Sequence, residues 1–571
     1  MLYLLLYYIL VSCICFWAGL IIYSFMPTAN SEKRSILHFL MTGLMALTAA
    51  GEWKALFSPV NGIALIWILI ILSVITFFRK EKLSRTILRD CHTTLKREVL
   101  FLPSLFCFLI MILVLNAGPS MMDDSESYHI QMVKWIQEFG SVPGLANLHL
   151  RFGFNSSWFS SIGLLSYPFP GFNSYFSLNG LIGLWFCYFL LERIFTSFSD
   201  ISSGKINSQA WGYLVILIFC FINWPMIRGC ITSANYDFII TICVIVLFSD
   251  LFKNAKNLPA EWLIWPIFLF TVRMINAPLL LLSLIYIFYS KPFSIRQCSL
   301  AAVTGILFVV PFLARNIILS GYPFFPVYQI DWFSPDWKAD RSRLVEISQY
   351  IKYFNRVNPM FLPMNETMTL RFPGWIASWY RYLFTFDKWL LTVSLLGYGF
   401  ILVRIKRFSS TVQRFFLFVM VFQLLSWFVL APDPRFVQGA LLFGIYAGIQ
   451  MLPAMAIPNG KVLKFVTCTL AGFVLLYGVS KVLNDSSYRN FLAPARLPVP
   501  AVQTISVDHI EVHLPHRVLN NWNPRCYDLA LPCLYMVDPR LEARGDHIGN
   551  GFRLRKDNQV IPVDGEYKIK R

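Results

Sequence analysis

Charge is what this chain has least of. Only 14% of its 571 residues are Asp, Glu, Lys or Arg, while 56% are hydrophobic, a balance that excludes a water-soluble globule of ordinary composition. It also lacks an internal repeat of the solenoid type and any low-complexity linker, so neither a stacked array nor a flexible tether is expected. Its first segment, MLYLLLYYILVSCICFWAGLIIYSFM, has no basic leader region and no small-residue cleavage site, which reads as a retained first span. Acidic residues number 31 against 49 basic ones, for a formal charge of +18. Nucleic acid is nevertheless not the expected partner, because Lys and Arg cluster in short segments between apolar runs, as membrane topology signals do.

What is present is a succession of apolar runs, each of the length needed to cross a hydrocarbon core of roughly 30 Å. The expected fold class is an all-α polytopic membrane protein of about 12–14 membrane helices, two of them short. Residues 1–483 form its transmembrane domain and 484–571 a tail. The segment Arg79 to Glu98 carries seven Lys/Arg and is placed in the cytoplasm. Later basic groups at Lys253/Lys256, Lys291/Arg296, Arg404/Lys406/Arg407/Arg414 and Lys461/Lys464 fall on the same side. Three polar regions then face outward together: 118–171, 320–388 and the tail. Because basic residues flank Trp262 to Tyr289 at both ends, two short helices are expected to meet near TVRMINAP, with Arg273 and Asn276 at the outer turn. The tail, rich in proline, reads as a loop-rich or β-containing cap. Most Cys lie in apolar spans and behave as small hydrophobes. Cys526 and Cys533 sit in the outward tail, where a disulfide can persist.

After Asp123 and Asp124, the residues Tyr128, Met132, Trp135, Ile136 and Phe139 form one apolar stripe of an amphipathic helix that ends at Gly140. Asp123 with Glu126 at N3 has the spacing of an acidic capping box. In the second outer loop, Tyr322, Phe324, Phe325, Tyr328, Trp332, Phe333, Trp337, Trp375, Trp379 and Tyr380 interleave with Asp331, Asp336 and Asp340. That mixture suits sugar faces and hydroxyls, but it is more commonly the interfacial aromatic belt of a membrane protein.

The string DDSESYHIQMVKWIQEFGSVPGLANLHLRFGFNSSWF (Asp123 to Phe159), with RNIILSGYPFFP (Arg315 to Pro326) and APDPRF (Ala431 to Phe436), resembles a poorly characterised bacterial family placed near the GT-C class of membrane glycosyltransferases. The resemblance implies a GT-C-like fold with periplasmic loops in the bacterial inner membrane. It implies transfer of a sugar from a polyprenyl-phosphate-linked donor to a glycan, lipid or protein acceptor, with inversion. By position, Asp124 would be the carboxylate that deprotonates the acceptor, its pKa raised by the apolar boundary, with Asp123 a cap or neighbour and Glu126 an alternative. Tyr128, His129 and His149 would contact substrate from the first loop. Arg151, Arg228, Arg273, Arg315 and Arg435, all at outer span ends, are candidates for the donor phosphate, and each is equally an interfacial anchor. No cofactor is assigned. A divalent metal on Asp123, Asp124, His129 and His149 is left open, without supporting ligand spacing. A lipid-linked sugar flippase and a Wzy-like glycan polymerase are the competing readings.

Overall fold

The computed structural model describes residues 1–26, 34–91, 99–166, 174–201, 208–223, 225–249, 251, 258–289, 295–356, 364–408, 410–453, 460–515, 525–534 and 536–555. Lys253, Lys256, Lys291 and the last part of the basic segment before Glu98 lie outside the described residues. Among the described residues, eight helices are long and apolar enough to cross a membrane: Leu2–Phe25, Ile36–Ala55, Gly62–Thr86, Ser177–Ser197, Ile295–Ser320, Thr385–Val403, Thr411–Leu430 and Gly460–Asn484. Five shorter apolar helices, among them Phe101–Ala117 and Asp237–Ser249, fill the bundle between them. The chain is therefore a multi-pass membrane protein by length and composition of its helices.

Close backbone approach fixes the first pair. Both Gly19 and Gly43 sit where an added Cβ would strike the facing backbone, Phe39 O and Cys15 O respectively, so Leu2–Phe25 and Ile36–Ala55 pack through small residues as membrane helices do. The Glu261–Val272 helix breaks at Arg273, whose backbone is extended. A 3₁₀ turn over Met274–Leu279 then leads into Leu280–Tyr289. Ser283 Oγ donates to Leu263 O at 2.9 Å, folding the two short halves against each other with Arg273 at the bend, as the flanking charges suggested.

Among the described residues, the first loop, the second loop and the tail meet at one end of the bundle. The N-terminal amine donates to Asn490 O at 2.7 Å, Val60 N donates to Ile136 O at 3.0 Å, and Ala495 N donates to Ala117 O at 2.8 Å. The tail forms two small antiparallel sheets, β1 (Val502–Val507) with β2 (Ile510–Pro515) and β3 (Leu541–Ala543) with β4 (Phe552–Leu554). Cys526 and Cys533 are bonded, with Cα atoms 5.9 Å apart. Arg544 pairs with Asp336 at 2.8 Å and Arg540 with Asp340 at 2.8 Å. Two of the three acids expected to alternate with sugar-facing aromatics thus bind the tail to the second loop, while Asp331 pairs with Lys338.

Candidate functional site

The loops at this end of the bundle form a cavity of about 610 Å³. Its polar side begins at Asp124. Here the expected amphipathic helix is present, but its first turn, Ser125–His129, is wound as a π-helix before Ile130–Phe139 continues in α form. A π turn inserts one residue and re-aims the side chains before it. No capping bond forms from Asp124. The capping box also fails, because the Asp123 carboxylate turns to Arg525 of the tail, and Glu126 pairs with the same Arg525 at 3.0 Å. The apolar stripe packs into protein rather than lipid: Met132, Trp135 and Ile136 are buried, with Trp135 5.5 Å from Phe139 and 6.0 Å from Phe552 between ring centroids.

Asp124 faces three arginines drawn from separate parts of the chain. Both terminal nitrogens of Arg435 lie 3.4 Å from its Oδ2, and Arg151 lies 3.6 Å from Oδ1. Arg435 also meets Asp433 at 3.0 Å and Asp237 at 3.8 Å. Asp237 in turn pairs with Arg273, which lies 3.4 Å over the ring of Phe436. Each is held locally. Asp433 Oδ1 accepts from Arg435 N at 3.1 Å at the start of the Pro434–Val437 turn, and the indoles of Trp427 and Trp379 donate to Asp433 O and Pro432 O, both at 2.7 Å. Asn235 Oδ1 accepts from Asp237 N at 2.6 Å. His149 Nδ1 accepts from Arg151 N at 3.2 Å.

The electrostatics follow from this cluster. Burial pushes the Asp124 carboxyl up, but the guanidinium charges of Arg435, Arg151 and Arg273 bring it below its ordinary value. The upward shift expected from an apolar boundary is therefore reversed, because the boundary is lined with guanidinium groups. Asp433 is raised, by burial first, and Glu126 is raised for the same reason. Burial lowers His129 and His149 to about 3 each, so both are neutral side chains.

Asp124, Tyr128, Arg151, Arg273 and Arg435 all line the cavity, and Asp123 stands at its edge. Arg315 and Arg228 do not line it. Arg315 is fully buried against Glu52, 2.5 Å away, and is committed to Ser160 and Ser141 as well. Arg228 is buried with its guanidinium 5.1 Å over Tyr488. His129 lies beneath the surface, its ring between those of Tyr128, Phe159 and Tyr236, and His149 is buried behind Arg151. Among the described residues, no three His, Cys, Asp or Glu side chains are grouped to hold a metal ion.

Sequence reasoning passed over Asp237, Asp433 and Arg356. Asp433 was inside the quoted APDPRF, and Asp237 precedes an apolar run much as a helix-opening acid does. Arg356 carried no local signal. It lines the same cavity, as do Tyr350, Phe354, Trp379 and Tyr382, with its guanidinium 4.6 Å over Trp375.

The chain belongs to the family described as Domain of unknown function (DUF8201). The family profile matches residues 1–442, which contain every residue lining the cavity. No curated protein and no solved structure matches the chain.

Proposed function

We propose that this protein is an inverting GT-C-type membrane glycosyltransferase of the bacterial inner membrane. It moves a sugar from a polyprenyl-phosphate-linked donor to a glycan, lipid or protein acceptor at the periplasmic face. The observation that carries this reading is Asp124: a carboxylate 30% exposed into the cavity, kept ionised by neighbouring arginines, at the end of the bundle where the loops gather. In the reaction, the Asp124 carboxylate takes the proton of an acceptor hydroxyl as its oxygen bonds to the anomeric carbon. The bond from that carbon to the phosphate oxygen breaks, and the lipid phosphate leaves with the electron pair.

The lining of the same cavity also offers a place for a lipid phosphate. Arg151, Arg273 and Arg435 already have carboxylate partners. Among the described residues Arg356 has none, and its Nε is buried without a hydrogen-bond partner. The same cavity is lined by Ile347, Ile351, Phe354, Leu383 and Phe384, apolar groups suited to the first part of a prenyl chain. An anion there gains a charge-assisted hydrogen bond without displacing an aspartate.

The test is mass spectrometry of lipid extracts from a deletion strain complemented with wild type, Asp124→Asn or Arg356→Gln at matched membrane levels. The expected result is donor accumulation in the deletion strain that wild type corrects and neither variant does. Full correction by Asp124→Asn would refute the general-base role.

A further inference from the structure

The disulfide-closed loop of the tail is attached to the very turn that carries Asp124. Arg525, immediately before Cys526, reaches Asp123 through one terminal nitrogen and Glu126 through the other, the latter at 3.0 Å. Tyr527 N donates to Glu126 O at 2.8 Å. Further along the same helix, Gln131 Nε2 donates to Tyr527 O and Leu529 O, both at 3.1 Å, and Lys134 Nζ donates to Leu529 O at 2.7 Å. Tyr527 itself adopts a left-handed backbone, φ 43°. A bulky residue rarely takes that conformation unless its surroundings impose it. On its other side the loop hangs on the tail sheet: Cys533 bridges His513 of β2, with His513 N donating to Pro532 O at 3.0 Å.

We infer that Arg525 is a positioning residue for Asp124, clamping the acids on either side of it so that the π turn presents Asp124 to Arg151 and Arg435. The Cys526–Cys533 bond keeps Arg525 and Tyr527 in reach by tying their strand to β2. The π turn explains why a clamp is needed. π segments are rare and occur mostly as single turns inside α-helices, and Asp123, 79% exposed, has no other partner among the described residues. The inference about product formation rests on the glycosyltransferase reading; the inference about geometry does not.

The experiment uses the full chain in lipid nanodiscs and reads amide hydrogen exchange over residues 119–131. Compared are wild type, Arg525→Gln, Arg525→Lys, Asp123→Asn and wild type reduced with dithiothreitol, which is itself oxidised as the cystine becomes two thiols. Arg525→Gln and reduction should each speed exchange in this segment at least tenfold. Arg525→Lys should restore protection to within about threefold of wild type, and exchange in the long spans should stay unchanged. Asp123→Asn, at an exposed site, removes one arm of the clamp and should give an intermediate increase even if Arg525→Gln does not fold. Exchange within twofold of wild type in both Arg525→Gln and Asp123→Asn would overturn the clamp. Cellular product, measured for the same variants and for Asp124→Asn, separates the two claims. Faster exchange with lost product supports the positioning role, whereas retained product in Asp124→Asn sinks the reaction and leaves the clamp to be judged by exchange alone.

Discussion

Replacing Arg315 by methionine removes one half of an ion pair that joins three segments far apart in sequence. The Arg315 side chain is 0% exposed and Glu52 1%, with Nη1 and Oε1 2.5 Å apart. Glu52 also accepts from Ser160 Oγ, and Arg315 Nε donates to Ser141 Oγ at 3.2 Å. Losing the guanidinium strands a buried carboxylate, a change that typically costs about 3–5 kcal/mol. At roughly 2.1 cal/mol/K of unfolding entropy per residue, 571 residues carry about 1.2 kcal/mol/K. The melting temperature should then fall by about 2.5–4 °C if the chain unfolds as one unit, and by more if a smaller unit opens. Fluorescence-detected size exclusion after heating in mild detergent would measure it. The double variant Glu52→Leu with Arg315→Met should recover most of the loss, because an apolar pair of similar volume needs no desolvation of charge. An unchanged melting temperature in the single variant, or a double variant worse than either single, would refute the structural role and return Arg315 to the candidates for donor phosphate.

Gly551 has φ +96°, and a Cβ there would lie 2.1 Å from Pro143 O. Gly551→Ala should break the Phe552 N to Pro143 O bond, 3.0 Å, and raise protease cleavage within residues 541–555 without affecting the spans. His129 and His149 are lowered to about 3 by burial, so below their ordinary value near 6.5 the unfolded chain binds protons that the folded one does not. The stability they contribute is complete above pH of about 6.5 and falls by up to about 1.4 kcal/mol per pH unit for each as the pH drops toward 3. Glu126, raised by burial, works in the opposite sense. Melting curves from pH 7.5 to 5.5 should therefore shift downward, and His129→Phe should flatten that slope; an equal slope in the variant would exclude His129 as a source. Asp237→Asn should free Arg273 and Arg435 from a shared partner and reduce cellular product at unchanged membrane level, and normal product would place Asp237 outside the machinery.

The broken hairpin at Arg273, the π turn and the arginine cluster differ in how far sequence could reach them. Arg273 was legible because basic residues flanked an overlong apolar run, a constraint that acts within one segment. The helix after Asp124 was legible from its 3.6-residue stripe, but the stripe could not say that Phe552 of the tail would cover it. Arg315 and Arg435 looked alike in sequence, each an arginine at a span end beside prolines and aromatics. Only packing separates them, since Glu52, on another helix, pairs with Arg315, whereas Arg435 meets Asp124, Asp237 and Asp433. The capping-box reading of Asp123 failed for the same reason: Arg525 stands 402 positions away, and a charged partner in reach outweighs a local bond to a backbone amide.

The cavity charges also say how the site must be assembled. Asp124, Asp237 and Asp433 face Arg151, Arg273 and Arg435, three carboxylates against three guanidinium groups. Ionised groups at a membrane boundary are tolerated when paired, and breaking one pair leaves its partner uncompensated. The partners are as much as 311 residues apart, so the set is complete only when the first loop, the Arg273 bend and the Ala431 to Phe436 turn have all come together. An anionic headgroup entering this neutral cluster must displace a carboxylate, whereas one that stops at Arg356 need not.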